Sequence, residues 1–350
     1  MKNKAVVKES KNKIRVNYDG KLTLKERLLS KAKTFNTWIK VVVNIFRFIL
    51  MLGVSYVILF PFFSRIAGSF MTRQDVLDAT VSLIPKNFTL EIYKYIIVEN
   101  YYFDALWHTV LISLLCALAQ TLVACLIGYG LAKFKFWGNK AIMGAVVFTM
   151  IIPHKTLSLA IVKHFTMFDI LTVQSFNMKG IIEIITGDTL ELVNTAWPLA
   201  LLSIFGLAFK NGLYIYLMRQ FFKGVPDELE ESAYVDGSGV FRTFFQIILP
   251  LSIPMMITIF LFSFSWQWTD EFYTTLFWDD TVNKFYLMPD IYKTIPETLA
   301  HRYENLAGWG VYRNVVQNTA GLLIILPLVI MYLFCQRYLV QGIERSGLVG

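Results

Sequence analysis

Residues 222–250 read FKGVPDELEESAYVDGSGVFRTFFQIILP and separate two long apolar runs of the chain. Pro226 suits the first turn of a helix, where its missing N–H would have no partner anyway. The acidic residues that follow it are favoured there by the helix dipole, and Gly237 supplies a left-handed stop. The pattern predicts a helix of about 11 residues, roughly 16 Å long. Such a helix is marginal in water unless another surface receives it.

A second amphipathic segment follows Gly237 and leads to Pro250 and Pro254. Its apolar residues recur at helical spacing, so we expect two short helices that meet at Gly237 and return the chain to an apolar run. Taken alone, an acidic helix with a glycine stop is typical of a solvated loop. Whether residues 222–250 are a solvated loop or a helix that docks on a partner therefore depends on the rest of the sequence.

The apolar runs on both sides are longer than the helices of a soluble core require. The chain has 350 residues, of which 55% are hydrophobic and 17% charged. About 20 apolar residues at 1.5 Å each cross a bilayer core of roughly 30 Å. We therefore predict an all-α integral membrane protein with six transmembrane helices. The predicted spans are residues 41–63, 105–132, 141–163, 196–221, 252–276 and 315–339. Lys210, Asn211 and Gly212 leave room for a break in the fourth span.

Positive charge is concentrated at the start of the chain. Residues 1–40 contain 12 Lys and Arg against 3 acidic residues, and the whole chain has a formal charge of +8. Lys and Arg are retained on the cytoplasmic side of membrane proteins, which explains a basic arm without nucleic acid. We predict a basic cytoplasmic arm over residues 1–40 that includes the start of the first helix. A six-helix transmembrane domain over 41–340 and a cytoplasmic tail over 341–350 follow, with both termini in the cytoplasm.

Residues that carry catalysis or bind cofactors do not form a recognisable constellation. Cys116, Cys125 and Cys335 lie inside apolar runs and are expected to pack as small apolar side chains. The four histidines are scattered, and no glycine-rich loop followed by Lys-Ser or Lys-Thr is present. The sequence predicts no metal site, no cofactor and no enzymatic activity of its own. Energy for any transport has to come from a partner.

The spacing within residues 222–250 resembles the signature loop of bacterial ABC-importer permeases. Glu231-Ser232-Ala233 is followed after three residues by Gly237, and Leu249-Pro250 ends the loop. Ser232 stands where Ala is more usual in that family. The resemblance implies that the loop is a coupling helix docked in a groove of a cytoplasmic ATPase subunit. The residues expected to take part are Glu230, Glu231, Ser232, Ala233, Asp236, Gly237, Leu249 and Pro250.

The resemblance extends along the chain from the first span and is closest to carbohydrate-type permeases. Residues 59–69 and 83–93 resemble the end of the first span and the outer loop of that type, and residues 211–222 also look like that family. Trp268-Thr269-Asp270 stands where the family usually has Trp-Asn-Asp or Trp-Asn-Glu. The best match is the second permease subunit of maltose-transporter type.

This resemblance implies a type I ABC importer permease fold and a set of partners. They are a different permease subunit, two copies of an ATPase that bind ATP and Mg²⁺, and an extracellular solute-binding protein. The location implied is the bacterial cell membrane. The tail resembles the glycine-rich tail that reaches the ATPase interface in the maltose-type subunit, although the basic residue is missing. Its residues are Ser346, Gly347, Leu348, Val349 and Gly350.

Polar residues inside apolar runs are the candidates for a substrate cavity, because such residues are costly in a membrane. Sugars are bound by aromatic faces together with groups that hydrogen-bond hydroxyls. The alternative is that tryptophans anchor the membrane interface and that the acidic residues lie at the outer surface. The candidates are His154, Lys155, Lys210, Asn211, Trp266, Trp268 and Asp270.

Other functions remain open from the sequence. A permease for another solute, such as a peptide or an amino acid, would share the same loop. An ion-driven secondary transporter would be expected to show internal repeats and acidic residues within its spans. A membrane enzyme would need a catalytic constellation. The leading prediction is a permease that imports a sugar or oligosaccharide by ATP-driven alternating access.

Overall fold

The computed structural model describes residues 35–170, 180–278 and 286–347, with side chains from residue 38 to residue 338 within those ranges. Most of the predicted basic arm and the last three residues lie outside the described part. The described residues are mainly helical, and their only β-type pairings are two isolated antiparallel bridges, Met71–Phe88 and Phe168–Leu190.

The helices are named here in chain order. They are α1 Phe35–Ser69, α2 Arg73–Leu77, α3 Glu91–Glu99, α4 Tyr102–Lys133, α5 Asn139–Ile151, α6 His154–Thr166, α7 Ile181–Thr186, α8 Trp197–Ile204, α9 Asn211–Lys223, α10 Glu228–Val235, α11 Val240–Thr243, α12 Leu249–Trp268, α13 Phe272–Phe277, α14 Met288–Lys293, α15 Glu297–Tyr303 and α16 Trp309–Gly347. A π-helical segment, Phe244–Ile248, joins α11 to α12.

The prediction of six transmembrane helices is confirmed only in part. Within the described residues, four helices are long and apolar enough to cross a membrane: Trp38–Ser69, Tyr102–Lys133, Val240–Trp268 and Trp309–Tyr338. The third predicted span is two helices, α5 and α6, bent by 103° at their junction. They make a fifth span if the pair is counted as one. The fourth predicted span is broken between α8 and α9, each too short to cross alone.

Two chemical features explain these breaks. Pro153 has no N–H to donate to the preceding turn, and Ile152 before it is extended, so α5 stops and α6 starts in a new direction. Gly206 has a φ of 71°, in the left-handed region, and the N–H of Leu207 donates to the carbonyl oxygen of Leu202 at 2.8 Å. This turn ends α8. It lies shortly before Lys210, Asn211 and Gly212, where the sequence left room for a break in the fourth span.

The described part of the chain divides into two compact units between Ser64 and Arg65, and the contacts below lie within the second unit. Its centre is α4, which packs against α8, α9 and α12, while α12 also packs against α16. Gly128 allows α4 and α9 to approach closely, because a Cβ there would lie 2.6 Å from the Cβ of Met218. Large apolar side chains fill the interior; among those fully buried are Tyr214, Phe222, Ile259, Trp268, Phe277 and Tyr312.

A layer of short helices covers the ends of α4 and α16 that begin at Tyr102 and Trp309. Ile92 and Ile96 of α3, Met288 of α14 and Leu299 of α15 are buried there in one apolar cluster with Tyr312. Polar contacts hold the surrounding loops: the Asp75 carboxylate accepts hydrogen bonds from the backbone and side chain of Asn87, and Arg302 pairs with Glu91. These helices were not predicted from the sequence.

Candidate functional site

The predicted coupling helix is present as α10, and it is shorter than expected. It has eight residues rather than about 11, because Pro226 and Asp227 form a turn before it instead of its first turn. Its stop is formed as predicted, since Gly237 has a φ of 79°.

The N–H groups of Gly237 and Ser238 donate to the carbonyl oxygens of Tyr234 and Ala233 at 3.0 and 2.9 Å. These two bonds form a Schellman motif, which satisfies carbonyl groups at the helix end. The turn out of α10 is therefore fixed by the backbone alone.

The two faces of α10 have different surroundings. Glu230 and Ala233 are buried against the rest of the chain. On the other side, Val235 and Phe241 are 88% and 82% exposed. Exposed apolar side chains at a loop tip are typical of a binding surface. We name the exposed residues Glu231, Ser232, Val235, Asp236, Gly237 and Phe241 the coupling surface.

A buried lysine ties the start of this loop to α4. The Nζ atom of Lys133 lies 2.5 Å from Asp227 Oδ1 and donates to the carbonyl oxygen of Val225 at 2.7 Å, and its side chain is only 6% exposed. The hydrogen bond from Lys133, together with its charge, lowers the pKa of Asp227 below its ordinary value. The carboxylate stays ionised at neutral pH, so the contact persists there.

The segment after Gly237 differs from the prediction of a second short helix ended by Pro250. α11, the π-helical segment and α12 follow one another without a break, so one helix runs from Val240 to Trp268. Pro250 stands at the start of α12 and cannot bond to Gln246, four residues before it. The wider π turn lies just where that bond is missing, which lets the helix continue. Leu249 is partly buried and Pro250 is exposed.

At the other end of this helix lies a cavity of about 200 Å³, which we name the tryptophan cavity. Trp266 lines it and is 51% exposed. At its base Gln120 donates to Ser203 Oγ at 3.0 Å and accepts from Ser263 Oγ at 2.6 Å, which ties α4, α8 and α12 together. The residues that line it include Gln120, Phe209, Lys210, Ser263, Trp266, Gln267, Asp270, Glu271 and Phe272.

A second cavity of about 550 Å³ opens at the breaks in the third and fourth spans, and we name it the broken-helix cavity. The ring of His154 stands edge-on to that of Phe209, 4.3 Å between centroids. Both cavities share Phe209, Lys210 and Phe272 in their linings. The residues that line it include Thr149, Pro153, His154, Lys155, Phe209, Lys210, Gly212 and Phe272.

The structure brings together most of the predicted cavity residues, with two exceptions. Trp268 is 1% exposed, and its Nε1–H donates to the carbonyl oxygen of Ile324 at 3.0 Å, so it packs against α16. Asn211 is fully buried beside the cavities and does not line them. Asp270 lines the tryptophan cavity, and its carboxylate accepts from the N–H groups of Phe272 and Tyr273.

The sequence prediction missed Gln120, Ser263, Phe209 and Phe272. Gln120 could have been found, since an amide in the middle of an apolar run is costly unless it is bonded. The phenylalanines carry no such signal among the 29 of the chain.

The remaining predicted residues lie near or beyond the limits of the described part. Ser346 and Gly347 fall in the last turn of α16, so the predicted tail begins as helix. Leu348, Val349 and Gly350 lie outside the described residues. Among the described residues, no three His, Cys, Asp or Glu side chains are grouped so that they could hold a metal ion.

Comparisons with known proteins agree on one family. The sequence profile of the family described as "Binding-protein-dependent transport system inner membrane component" matches residues 120–345. The chain is 26% identical over 310 residues to the polygalacturonan/rhamnogalacturonan transport system permease protein YtcP of Bacillus subtilis (strain 168), covering 87% of this chain and 97% of that one.

Two further matches extend this comparison. The maltodextrin transport system permease protein MalD of Streptococcus pneumoniae (strain ATCC BAA-255 / R6) is 27% identical over 307 residues, covering 86% of this chain and 93% of that one. Among solved structures, a chain of a bacterial ABC transporter involved in the import of the acidic polysaccharide alginate matches with a TM-score of 0.62. The match covers 87% of this chain and 98% of the transporter chain. The sequence identity is 18%, so the match supports the fold alone.

Proposed function

This chain belongs to the family of binding-protein-dependent transport system inner membrane components, and on that premise we propose that it is a permease subunit that imports a saccharide by ATP-driven alternating access. Its location in the cell membrane follows from the family and from the apolar helices. The cytoplasmic position of both termini is part of the proposal and rests on the basic residues near the predicted inner ends of the spans.

The main support for the proposed coupling mechanism is that the coupling surface lies at the start of the continuous helix from Val240 to Trp268. An eight-residue helix with exposed Val235 and Phe241 beside it gains stability when a partner covers those side chains. The partner that fits is an ATPase subunit, two copies of which bind ATP and Mg²⁺. When they close, α10 moves with them and carries the helix from Val240 to Trp268 along.

That helix leads to the two cavities, so its movement opens them to one side of the membrane or the other. This is a two-state equilibrium, which ATP shifts by binding one state of the ATPase pair more tightly than the other. A second, different permease subunit completes the translocation path, and an extracellular solute-binding protein delivers the cargo.

The relatives support a saccharide as the cargo. Their names give a polygalacturonan or rhamnogalacturonan and a maltodextrin. These saccharides differ in their sugars, so the names support the class of cargo and leave its charge and length open. The aromatic and amide side chains around Trp266 and Gln267 suit a sugar, since they offer a flat apolar face beside hydrogen-bonding groups.

Crosslinking tests the coupling proposal. The variant Glu231→Cys is combined with Cys335→Ser, because Cys335 is half-exposed while Cys116 and Cys125 are buried. A reagent that joins a thiol to an amine is expected to link this variant to an ATPase subunit that co-purifies with the chain.

Glu230→Cys is the matched control, since it is the neighbouring residue on the buried face and should react slowly. Equal crosslinking of both variants, or no associated ATPase, would contradict the proposed docking. Saccharide uptake into vesicles that contain this chain and no ATPase would overturn the proposed energy source.

A further inference from the structure

The broken-helix cavity has an uneven distribution of charge. Its described lining contains Lys155, Lys210 and His154, and it contains no Asp or Glu. Neither lysine has a carboxylate within 4.0 Å among the described residues. Positive charge at a break between membrane-spanning segments is costly without a compensating anion.

Lys210 is held in place by aromatic rings rather than by an acid. Its Nζ atom lies 4.2 Å from the centroid of the Phe209 ring and 4.4 Å from that of Trp266. A cation–π contact does not use up the N–H donors of the lysine ammonium group, so those that point away from the rings can still bind an anion. The lysine is therefore oriented before any ligand arrives.

The acidic residues nearby are placed in the tryptophan cavity and are absent from the lining of the broken-helix cavity. The Asp270 carboxylate is engaged with the N–H groups of Phe272 and Tyr273 at the start of α13, at 3.1 and 3.2 Å. Glu271 lines the same cavity and forms no ion pair with Lys210. Within the described part of the chain neither lysine forms an ion pair, although Lys210 also lines the tryptophan cavity beside Asp270 and Glu271.

The backbone adds to this positive character. α6 begins at His154 and α9 begins after Lys210, and neither start has a side-chain cap. The first N–H groups of a helix carry partial positive charge and attract anions. Two such starts beside the same cavity reinforce the two lysines.

On the basis of the proposed function, we infer that the broken-helix cavity receives the carboxylate of an acidic saccharide, with Lys155 and Lys210 as its cationic partners. The saccharide ring then lies toward Trp266, whose exposed face suits its C–H groups. A neutral saccharide would leave both lysines unpaired, so the site favours a cargo that carries uronic acid residues.

The test uses the complete transporter in proteoliposomes and two probes that share one sugar chain, one with charged carboxylates and one with neutral methyl esters. One probe is an oligogalacturonide of two to four residues, and the other is its methyl ester. Wild type is expected to take up the acid faster than the ester. Lys210→Gln and Lys155→Gln are each expected to reduce uptake of the acid about tenfold, since one charge-assisted hydrogen bond is lost, and to reduce uptake of the ester by a clearly smaller factor.

Lys163→Gln is the matched control, because Lys163 lies in the last turn of α6 and does not line the cavity. The inference fails if wild type does not distinguish acid from ester. It also fails if Lys210→Gln lowers both equally, or if this variant loses its partner permease on purification, which would place the lysine in the subunit interface. Uptake of neutral saccharides alone would leave the proposed function standing, whereas no ATP-dependent uptake of any saccharide would remove both.

Discussion

Gly237 holds the turn between α10 and α11 in a backbone conformation that other residues adopt at a cost. Its φ of 79° lies in the left-handed region, and a Cβ there would meet no atom within 4 Å. The position is therefore restricted by backbone geometry and not by space. It fixes the angle at which the coupling surface leaves the membrane domain.

We predict that Gly237→Ala weakens the coupling of transport to ATP hydrolysis. Alanine in this conformation costs about 1–2 kcal/mol, so the turn would relax and move Val235 relative to Phe241. In proteoliposomes, the ratio of uptake to ATP hydrolysis should fall. Gly237→Asn should retain more of that ratio, because Asn tolerates the left-handed region.

Gly239→Ala serves as the control, since Gly239 has an extended backbone with a φ of −79° and open space around it. A Gly237→Ala transporter with the wild-type ratio would show that the turn does not set the coupling.

At the scale of elements, the contact between α4 and α9 depends on a glycine. A Cβ at Gly128 would lie 2.6 Å from the Cβ of Met218 and 3.0 Å from the backbone nitrogen of Arg219. Neither atom belongs to the end of a flexible side chain, so the helices would have to separate. Small residues at such contacts are common in membranes because they let backbones approach.

Gly128→Ala is predicted to destabilise the protein by about 1–3 kcal/mol through overpacking. Gly130→Ala is its matched control on the same helix, because a Cβ at Gly130 meets nothing within 4 Å. Thermal inactivation in detergent should begin at a lower temperature for the first variant and at an unchanged or higher temperature for the second. An equal loss of stability in both variants would contradict the packing explanation, because Ala favours a helix more than Gly and a Cβ at Gly130 meets no atom.

The sequence predicted the existence of the long helices better than their direction. The apolar runs over 41–63 and 105–132 correspond to α1 and α4, since composition alone decides whether a helix suits a bilayer. The third run has the same composition, but Pro153 turns it by 103°, and hydropathy carries no information on direction. The fifth run ends at Trp268 rather than at 276, because Asp270 starts a new helix by accepting the N–H bonds of its first turn.

The sequence predicted the coupling loop and the cavities around Lys210 to different extents. The spacing of Glu231, Gly237 and Pro250 indicated the coupling loop because each residue type has a local backbone role. It could not show that Val240–Trp268 would be one helix, since the π-helical segment depends on how Phe244 and Ile248 pack inside. Lys210 was recognisable as a polar residue in a span, whereas its contact with Trp266 joins parts of the chain far apart in sequence.

At the scale of the whole molecule, the coupling surface and the cavities are connected by one element. The helix from Val240 to Trp268 has 29 residues, and at 1.5 Å per residue it is about 43 Å long. The half that starts at Val240 has buried residues in one cluster with Tyr129, and the half that ends at Trp268 has buried residues in one cluster with Tyr312. In the proposed mechanism, a displacement of α10 would reach the tryptophan cavity through the short turn at Gly237 and this one continuous helix.

The same breaks that form the cavities require a partner. At the break after Ile204 the N–H groups of Phe205 to Ala208 bond to backbone carbonyl oxygens within the chain. A helix interrupted at Ile151 or Ile204 still leaves carbonyl groups of its last turn without helical partners, and hydrocarbon offers none. His154, Lys155 and Lys210 lie beside them. A second permease that covers this face would enclose the polar groups in a water-filled path. We therefore predict that the chain accumulates in membranes only when a partner permease is produced with it.

The measurement is the half-life of the chain in membranes after synthesis is stopped, with and without the partner. Without it, degradation should be several-fold faster. Replacing Lys155 and Lys210 together by Leu should lengthen the half-life of the unpaired chain, because two positive charges would no longer face lipid. Leucine at Lys163, which lies away from the breaks on the same helix as Lys155, is the control and should change little. If the unpaired chain were as long-lived as the paired one, the broken spans would have to be satisfied within this chain, and the cavities would be closed without a second permease.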